Sequence, residues 1–254
     1  MNLVLIDPAE LRDGQHVHLE GDRARHLLTV LNVDAGREVR VGLIDGPLGH
    51  AAVVAIAEAS VTLRCEFEAV VPERPPVDLL LAVPRPKVMR RLWPQIAALG
   101  VGRVILTNAE RVERAYFDAH VLHEQHWRPL LLDGLQQARD TRVPQVSIHR
   151  RFRVLVEDEL GDLSDASQRL VADPASPEGI GTAAASQPDG RVLLSVGPEG
   201  GWNDFELQLL RSHGFAAIGL GPRTLRSDTA CVALLALVHD RLRVPVPTAA
   251  APNV

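Results

Sequence analysis

Residues 192–236 read VLLSVGPEGGWNDFELQLLRSHGFAAIGLGPRTLRSDTACVALLA. The first five, Val192-Leu193-Leu194-Ser195-Val196, form an apolar run of buried-strand length. They enter Gly197-Pro198-Glu199-Gly200-Gly201, a turn whose tightness calls for glycine. Asn203 is placed to N-cap a helix, and Glu206, three residues on, can close a capping box onto it. Leu207, Leu209 and Leu210 give that helix an apolar side, and Gly214 ends it. Residues 216–220 predict a second short strand, Gly221 and residues 222–224 a turn. A last helix then starts near Ser227 or Asp228 and stays apolar through residues 230–238. Two successive strand–turn–helix units place backbone N–H groups and helix N-termini at the carboxyl ends of parallel strands, where ligands bind in open α/β sheets. The glycines fit neither G-x-G-x-x-G nor a P-loop, so a small-molecule dinucleotide enzyme is disfavoured. A glycine cluster by itself is also compatible with an ordinary strand-to-helix connection.

Outward from this stretch, the alternation of strands and helices continues back to about residue 77. Residues 77–83 are continuously apolar, as a central parallel strand requires. A helix is expected from about Lys87 to Leu99, ended by Gly100, with strands near 104–106, 146–148, 170–172 and 192–196 and helical periodicity over 119–138. This alternation predicts a parallel α/β sheet. Residues 176–190, rich in Ser, Ala, Pro and Gly, predict loop with at most a short helix. Val71-Pro72-Glu73-Arg74-Pro75-Pro76 is a proline-rich joint and the best boundary in the chain. Before it lie short strands at 15–19, 38–44, 51–57 and 61–67, the Asp45-Gly46 turn, and a short helix that Asp22 could cap, carrying Ala24, Leu27, Leu28 and Leu31 inward. That pattern predicts a small β-rich barrel or sheet.

The composition bounds the function. The 254 residues, 46% hydrophobic and 23% charged, suit one large or two modest globular domains. No stretch approaches a membrane span, and no signal peptide is evident at the amino terminus. Cys65 and Cys231 are far apart without a CxxC pair, which predicts a reducing, cytoplasmic setting and no zinc site of the usual spacing. His120, His123 and His126 drift around a helix at steps of three, so no metal is expected. Aromatics are 4%, too few for a platform of many stacked rings. The net charge of −5 argues against a wholly basic surface, but residues 84–153 hold 13 Lys/Arg against 6 Asp/Glu. Any RNA-contacting face should draw on that block.

The ordered motifs GPEGG, xxE at Glu206, and Leu220-Gly221-x-Arg223-x-Leu225-Arg226 followed by Thr229-Ala230 resemble the carboxyl-terminal signature of the RsmE-type 16S rRNA uridine-N3 methyltransferases of the SPOUT superfamily. The Arg25-His26-Leu27-Leu28-x-Val30-Leu31 pattern with Gly36 and Asp45-Gly46 is similar to that family's amino-terminal PUA-like domain, although Asp-Gly is also an ordinary hairpin turn. The likeness spans nearly all of the first 240 residues. It is looser in the middle, where Arg85-Pro86-Lys87, Ala98-Leu99-Gly100 and Gln136-Gln137-Ala138-Arg139-Asp140 stand for the family's usual segments.

The resemblance implies a PUA-like β-barrel RNA-binding domain over 1–72 and a knotted SPOUT-like α/β domain with a deep trefoil knot over 73–246; the Pro- and Ala-rich residues 247–254 predict a disordered tail. The resemblance also implies S-adenosyl-L-methionine as cofactor, held by Leu194, Val196, Gly197, Pro198, Glu199, Gly200, Gly201, Leu220, Gly221, Arg223 and Leu225. Ribosomal RNA or the small ribosomal subunit would be the partner, and the protein would act as a homodimer through the apolar last helix, which could equally be core. Uracil N3 must lose a proton before it attacks. Arg226 is the candidate to stabilise the anion, and Glu199 or Asp228 to accept the proton. Arg25, Arg85, Lys87, Arg90, Arg91, Arg139 and Arg142 are candidates for the RNA backbone. Two other readings stand beside this one: the same fold acting on another RNA base or a ribose 2′-hydroxyl, and a non-catalytic RNA-binding protein of ribosome assembly.

Overall fold

The computed structural model describes residues 3–183 and 190–242. The expected tail at 247–254 lies outside the described residues, as do positions 184–189 of the expected loop. In chain order the elements are β1 (Val4–Ile6), β2 (His16–Leu19), α1 (Gly21–Thr29), β3 (Glu38–Leu43), β4 (Leu48–Ala57), β5 (Ser60–Phe67), β6 (Val77–Ala82), α2 (Pro86–Ala98), β7 (Val101–Thr107), α3 (Glu124–Ala138), β8 (Gln145–His149), α4 (Phe152–Val154), α5 (Leu160–Leu163), β9 (Gln168–Ala172), α6 (Ile180–Ala183), β10 (Val192–Val196), α7 (Asp204–Ser212), β11 (Phe215–Ile218) and α8 (Ser227–Leu242). A π-helix over Leu155–Glu159 joins α4 to α5.

These elements form two compact units. The first comprises Met1–Pro75, Arg90–Gly100 and Val121–Pro144. Its sheet runs β1-β3-β4-β5-β2, antiparallel except for the parallel pair β1–β3. The inward residues of each strand alternate with outward ones and meet over Val17, Leu19, Val41, Val53 and Leu63. α1 adds Ala24 and Leu27 to this core. Asp22 does not cap α1: the N-cap position is Glu20, whose side chain makes no cap bond, while Asp22 sits in the first turn. There it pairs with Arg25 at 3.0 Å, and a carboxylate near a helix start is favourable in its own right. β1 was not singled out in the sequence, because three apolar residues are too few to show a period.

The Asp45-Gly46 turn carries more than a hairpin. Asp45 has φ 56°, and its carboxylate accepts from the Val143 amide at 3.2 Å. Arg142 donates to the Asp45 carbonyl at 2.8 Å, and Thr141 donates to the Gly46 carbonyl at 2.6 Å. Within the same unit, a Cβ on Gly134 of α3 would come within 2.1 Å of the Pro94 carbonyl oxygen of α2. Glycine there lets the two backbones touch.

The second unit comprises Pro76–Met89, Val101–His120 and the chain from Gln145 onward. Its six strands are all parallel in the order β11-β9-β10-β6-β7-β8. β6 and β10, at the centre, are buried along their whole length, which is why they read as unbroken apolar runs. The one charged residue among them, Asp78, is fully buried. It is matched by Arg191 (Nε at 3.1 Å), Arg103 (3.3 Å) and the Ser164 hydroxyl (2.8 Å). A buried carboxylate is tolerated only with partners of this kind.

Candidate functional site

The carboxyl ends of β10, β9 and β11 carry the loops that matter, all within the second unit. After β10 the chain turns through Gly197–Gly201, with Gly201 at φ 71°. Asn203 then caps α7: its side chain accepts from the Glu206 amide at 2.8 Å, and Glu206 accepts from the Asn203 amide at 2.8 Å. The capping box expected from the sequence is therefore formed, a contribution of about 1 kcal/mol. Glu206 is only 3% exposed, and its other oxygen accepts from the Glu110 amide at 2.7 Å. One buried carboxylate thus ties the glycine turn to the loop after β7.

That turn is also packed by side chains. The Arg111 guanidinium donates to the Gly200 carbonyl, and a Cβ on Gly200 would meet Arg111 Cδ at 2.8 Å. Trp202, 6% exposed, lies over Gly197 and against the Phe152 ring at 5.2 Å. Glu199 is exposed, and its carboxylate accepts from the Arg85 amide at 3.0 Å.

The loop between β11 and α8 differs. It borders a cavity of about 50 Å³ lined chiefly by Asp173, Ile218, Leu220, Gly221, Leu225 and Leu234, with Arg223 at its edge. Gly219 is pressed against the preceding loop: a Cβ there would fall 2.3 Å from the Ser176 carbonyl oxygen. Gly221 has φ 88° and nothing within 4 Å of where its Cβ would be. Residues 221–226 around the cavity are exposed. Asp173, part of that lining, accepts from Arg211 at 2.8 Å. An apolar floor, glycine backbone free of side chains and a helix start make a fitting seat for a ligand with one flat apolar ring and polar groups at its rim.

Of the residues proposed for the cofactor, Leu220, Gly221, Arg223 and Leu225 line this cavity, whereas Leu194 and Val196 are buried within β10 and Gly197–Gly201 lie outside its lining. The three catalytic candidates fall at two places. Arg226 and Asp228 open α8, with the Arg226 carbonyl accepting from the Ala230 amide at 2.8 Å. Asp228 accepts from the Thr229 amide at 3.0 Å, and Glu199 is in the other loop. Ser227, between Arg226 and Asp228, is 7% exposed, and its hydroxyl has no hydrogen-bond partner. The cavity-lining residues Asp173, Ile218 and Leu234 were not picked out in the sequence. The Asp173-Pro174 turn directly after an apolar strand was the available signal for the first of them.

Among the basic candidates, Arg25, Arg90, Arg91 and Arg139 are exposed in the first unit, and Arg85 and Lys87 in the second. Arg139 ends α3 in the left-handed region, φ 60°. Arg142 is 19% exposed, with its guanidinium on the Asp45 turn. Neither cysteine is a nucleophile at neutral pH: burial, with Asp228 nearby, pushes Cys231 up to about 12, and burial pushes Cys65 up to about 11. Among the described residues no group of three His, Cys, Asp or Glu could hold a metal ion, and no helix is long and apolar enough to cross a membrane.

A family model described as an RNA methyltransferase domain matches residues 72–239. A ribosomal RNA small subunit methyltransferase E from Treponema pallidum is 31% identical over 259 residues, covering 97% of this chain and 96% of its relative. The protein of that name from Mycobacterium bovis is 28% identical over 87% of this chain and 84% of its own. Among solved structures, ribosomal RNA small subunit methyltransferase E from Neisseria gonorrhoeae, bound to S-adenosyl methionine, superimposes with a TM-score of 0.73 at 24% identity, covering 94% of this chain and 97% of its own. A methyltransferase from Legionella pneumophila, solved with its bound cofactor SAM, gives 0.72 at 23% identity over the same shares.

Proposed function

The chain belongs to the ribosomal RNA small subunit methyltransferase E family of the SPOUT superfamily, and from that premise we propose that it methylates N3 of a uridine in small-subunit (16S) ribosomal RNA using S-adenosyl-L-methionine. The observation that carries this reading is the apolar cavity beneath residues 219–225. It lies at the carboxyl ends of parallel strands and in the same stretch as the LGPRTLRSDTA motif. S-adenosylmethionine supplies an activated methyl group. Leu220, Gly221 and Leu225 would hold the cofactor's apolar part, Arg223 its edge, and the Gly197–Gly201 turn would shape the neighbouring wall. Arg226 would stabilise the uracil anion by charge-assisted hydrogen bonds, and Asp228 or Glu199 would take the N3 proton. Positioning does most of the work, because in-line methyl transfer needs no covalent help from the protein.

The finer architecture belongs to the same proposal. β10 lies between β9 and β6, and the chain visits the sheet edge at β11 before α8 packs back on β10 and β6. This return supports a deep trefoil knot. The mixed sheet of the first unit supports a PUA-like RNA-holding domain over 1–72, followed by the methyltransferase domain over 73–246. Leu237 of α8, 43% exposed, supports a homodimer formed through that helix. A cytoplasmic setting follows from ribosomal RNA as substrate.

The test is methyl transfer from labelled S-adenosylmethionine to in vitro transcribed 16S rRNA and to isolated small subunits, with the product nucleoside identified by mass spectrometry. N3-methyluridine is expected. A ribose-methylated product would replace the base chemistry, and cofactor binding without transfer to either substrate would favour the non-catalytic reading.

A further inference from the structure

At the start of α7 lies a second cleft, about 360 Å³, whose walls include Asn108, Glu110, Arg114, Phe152, Phe205 and Glu206. By the same measure the cavity beneath residues 219–225 is about 50 Å³. Much of the second cleft's charge is already committed. Glu206 accepts from the amides of Glu110 and Asn203, and Arg153, on the rim, is bound through Nε to both oxygens of Glu157 at 2.9 Å. Four groups are left. Asn108 Oδ1 is buried and accepts no hydrogen bond. The Glu110 side chain and the Arg114 guanidinium are exposed. Phe205, on the first turn of α7, is 55% exposed.

Each of these groups asks for a particular complement. A buried amide oxygen without a donor is unfavourable until a donor reaches it, and a carboxylate is an acceptor only. Two acceptors two residues apart in the lining of one cleft match a base edge that presents adjacent N–H groups. An exposed aromatic ring in a family that handles RNA is a surface on which an unstacked base can lie. Arg114 completes the set with a cation for one phosphate.

We propose that this cleft holds one unpaired nucleotide of the RNA substrate, with its base stacked on Phe205, its donor edge on Asn108 and Glu110, and its phosphate on Arg114. Guanine is the base that fits, because its N1–H and N2–H₂ groups are neighbouring donors. The inference rests on the RNA-methylating function proposed above. It adds to that function a place where a base other than the reacting uridine is read.

The test uses the full-length protein, with filter binding to in vitro transcribed 16S rRNA and calorimetric titration of S-adenosylmethionine in parallel. Phe205→Ala is expected to weaken rRNA binding about tenfold, and Phe205→Trp to retain it. Arg114→Ala is expected to weaken it a few-fold and to lower the salt dependence by about one counterion. Both should leave cofactor affinity unchanged. Guanosine monophosphate should compete for the rRNA better than uridine monophosphate, and Glu110→Ala, which removes one of the two acceptors, should narrow that difference. Wild-type rRNA affinity in both Phe205→Ala and Arg114→Ala would overturn the cleft, as would equal competition by the two nucleotides. A wild-type protein that binds neither rRNA nor S-adenosylmethionine would overturn the functional reading itself, which keeps the two failures apart.

Discussion

The two strand-to-helix turns of the second unit, 197–203 and 219–226, share their ingredients: an apolar strand, clustered glycines with a proline, and a helix opened by a capping or acidic residue. Their surroundings are unlike. In the first, the Arg111 side chain presses on Gly200, the Trp202 ring covers Gly197, and Glu206 closes the helix start. In the second, Gly221 faces open space, Leu225 is 39% exposed, and a cavity lies beneath. In the first turn Gly197 and Gly200 serve close approach of side chains to the backbone; in the second, Gly219 meets the Ser176 carbonyl while Gly221 leaves room beside a cavity. A glycine cluster in a sequence therefore marks either a close approach or a left-handed backbone, without saying which glycine does which or what lies beside it.

Substitutions can separate the two turns. The largest effect is expected at Gly219, where any side chain collides with the Ser176 carbonyl and no flexible atom can give way. Gly219→Ala should destabilise the protein by about 2–3 kcal/mol and abolish S-adenosylmethionine binding, as seen by chemical denaturation and calorimetry. Unchanged stability would mean that the 173–178 loop yields easily. Next comes a paired contrast. Arg111→Ala removes a charged hydrogen bond from the first turn and should cost about 1.5 kcal/mol while cofactor affinity stays within about twofold. Leu225→Ala should do the reverse, lowering cofactor affinity about tenfold, or about 1.4 kcal/mol, with stability changed by less than about 0.5 kcal/mol. Equal effects of the two variants on both readouts would erase the distinction between the turns.

Asn203→Ala breaks the capping box and should lower stability by about 1 kcal/mol, with the loss confined in amide exchange to 203–207. The smallest change is expected at the cysteines. A thiol pushed up to about 12, or about 11, stays protonated at pH 8. Native Cys231 and Cys65 should thus alkylate about a thousandfold and a hundredfold more slowly than in the unfolded chain. Rapid labelling of Cys231 by iodoacetamide at that pH would show that α8 opens.

The same contrast explains what was legible in advance. Local chemistry was readable because its rules act over a few residues. Asn203 and Glu206 are three apart, and one helical turn brings them together whatever surrounds them. β6 and β10 were readable because a strand buried on both faces has no polar side to show. The resemblance in residues 197–230 then led to the family. Asp22 misled, because a capping residue and a first-turn residue are one position apart, and side-chain chemistry alone does not separate them.

Sequence by itself determined the strands of the second unit, the glycine turn with its capped helix, and the RNA methyltransferase family, since all of these are written in periodicity and short ordered motifs. The tertiary structure alone decided which glycine loop borders the cavity. It also put Asp173 and Leu234 beside Leu225, and Asn108 near Phe205, from segments roughly 50 to 100 positions apart or, for Leu234, on the far side of a helix start. A parallel sheet joins strands by crossovers, so neighbours in space are distant in sequence, and no local rule records which loops will meet at its carboxyl edge.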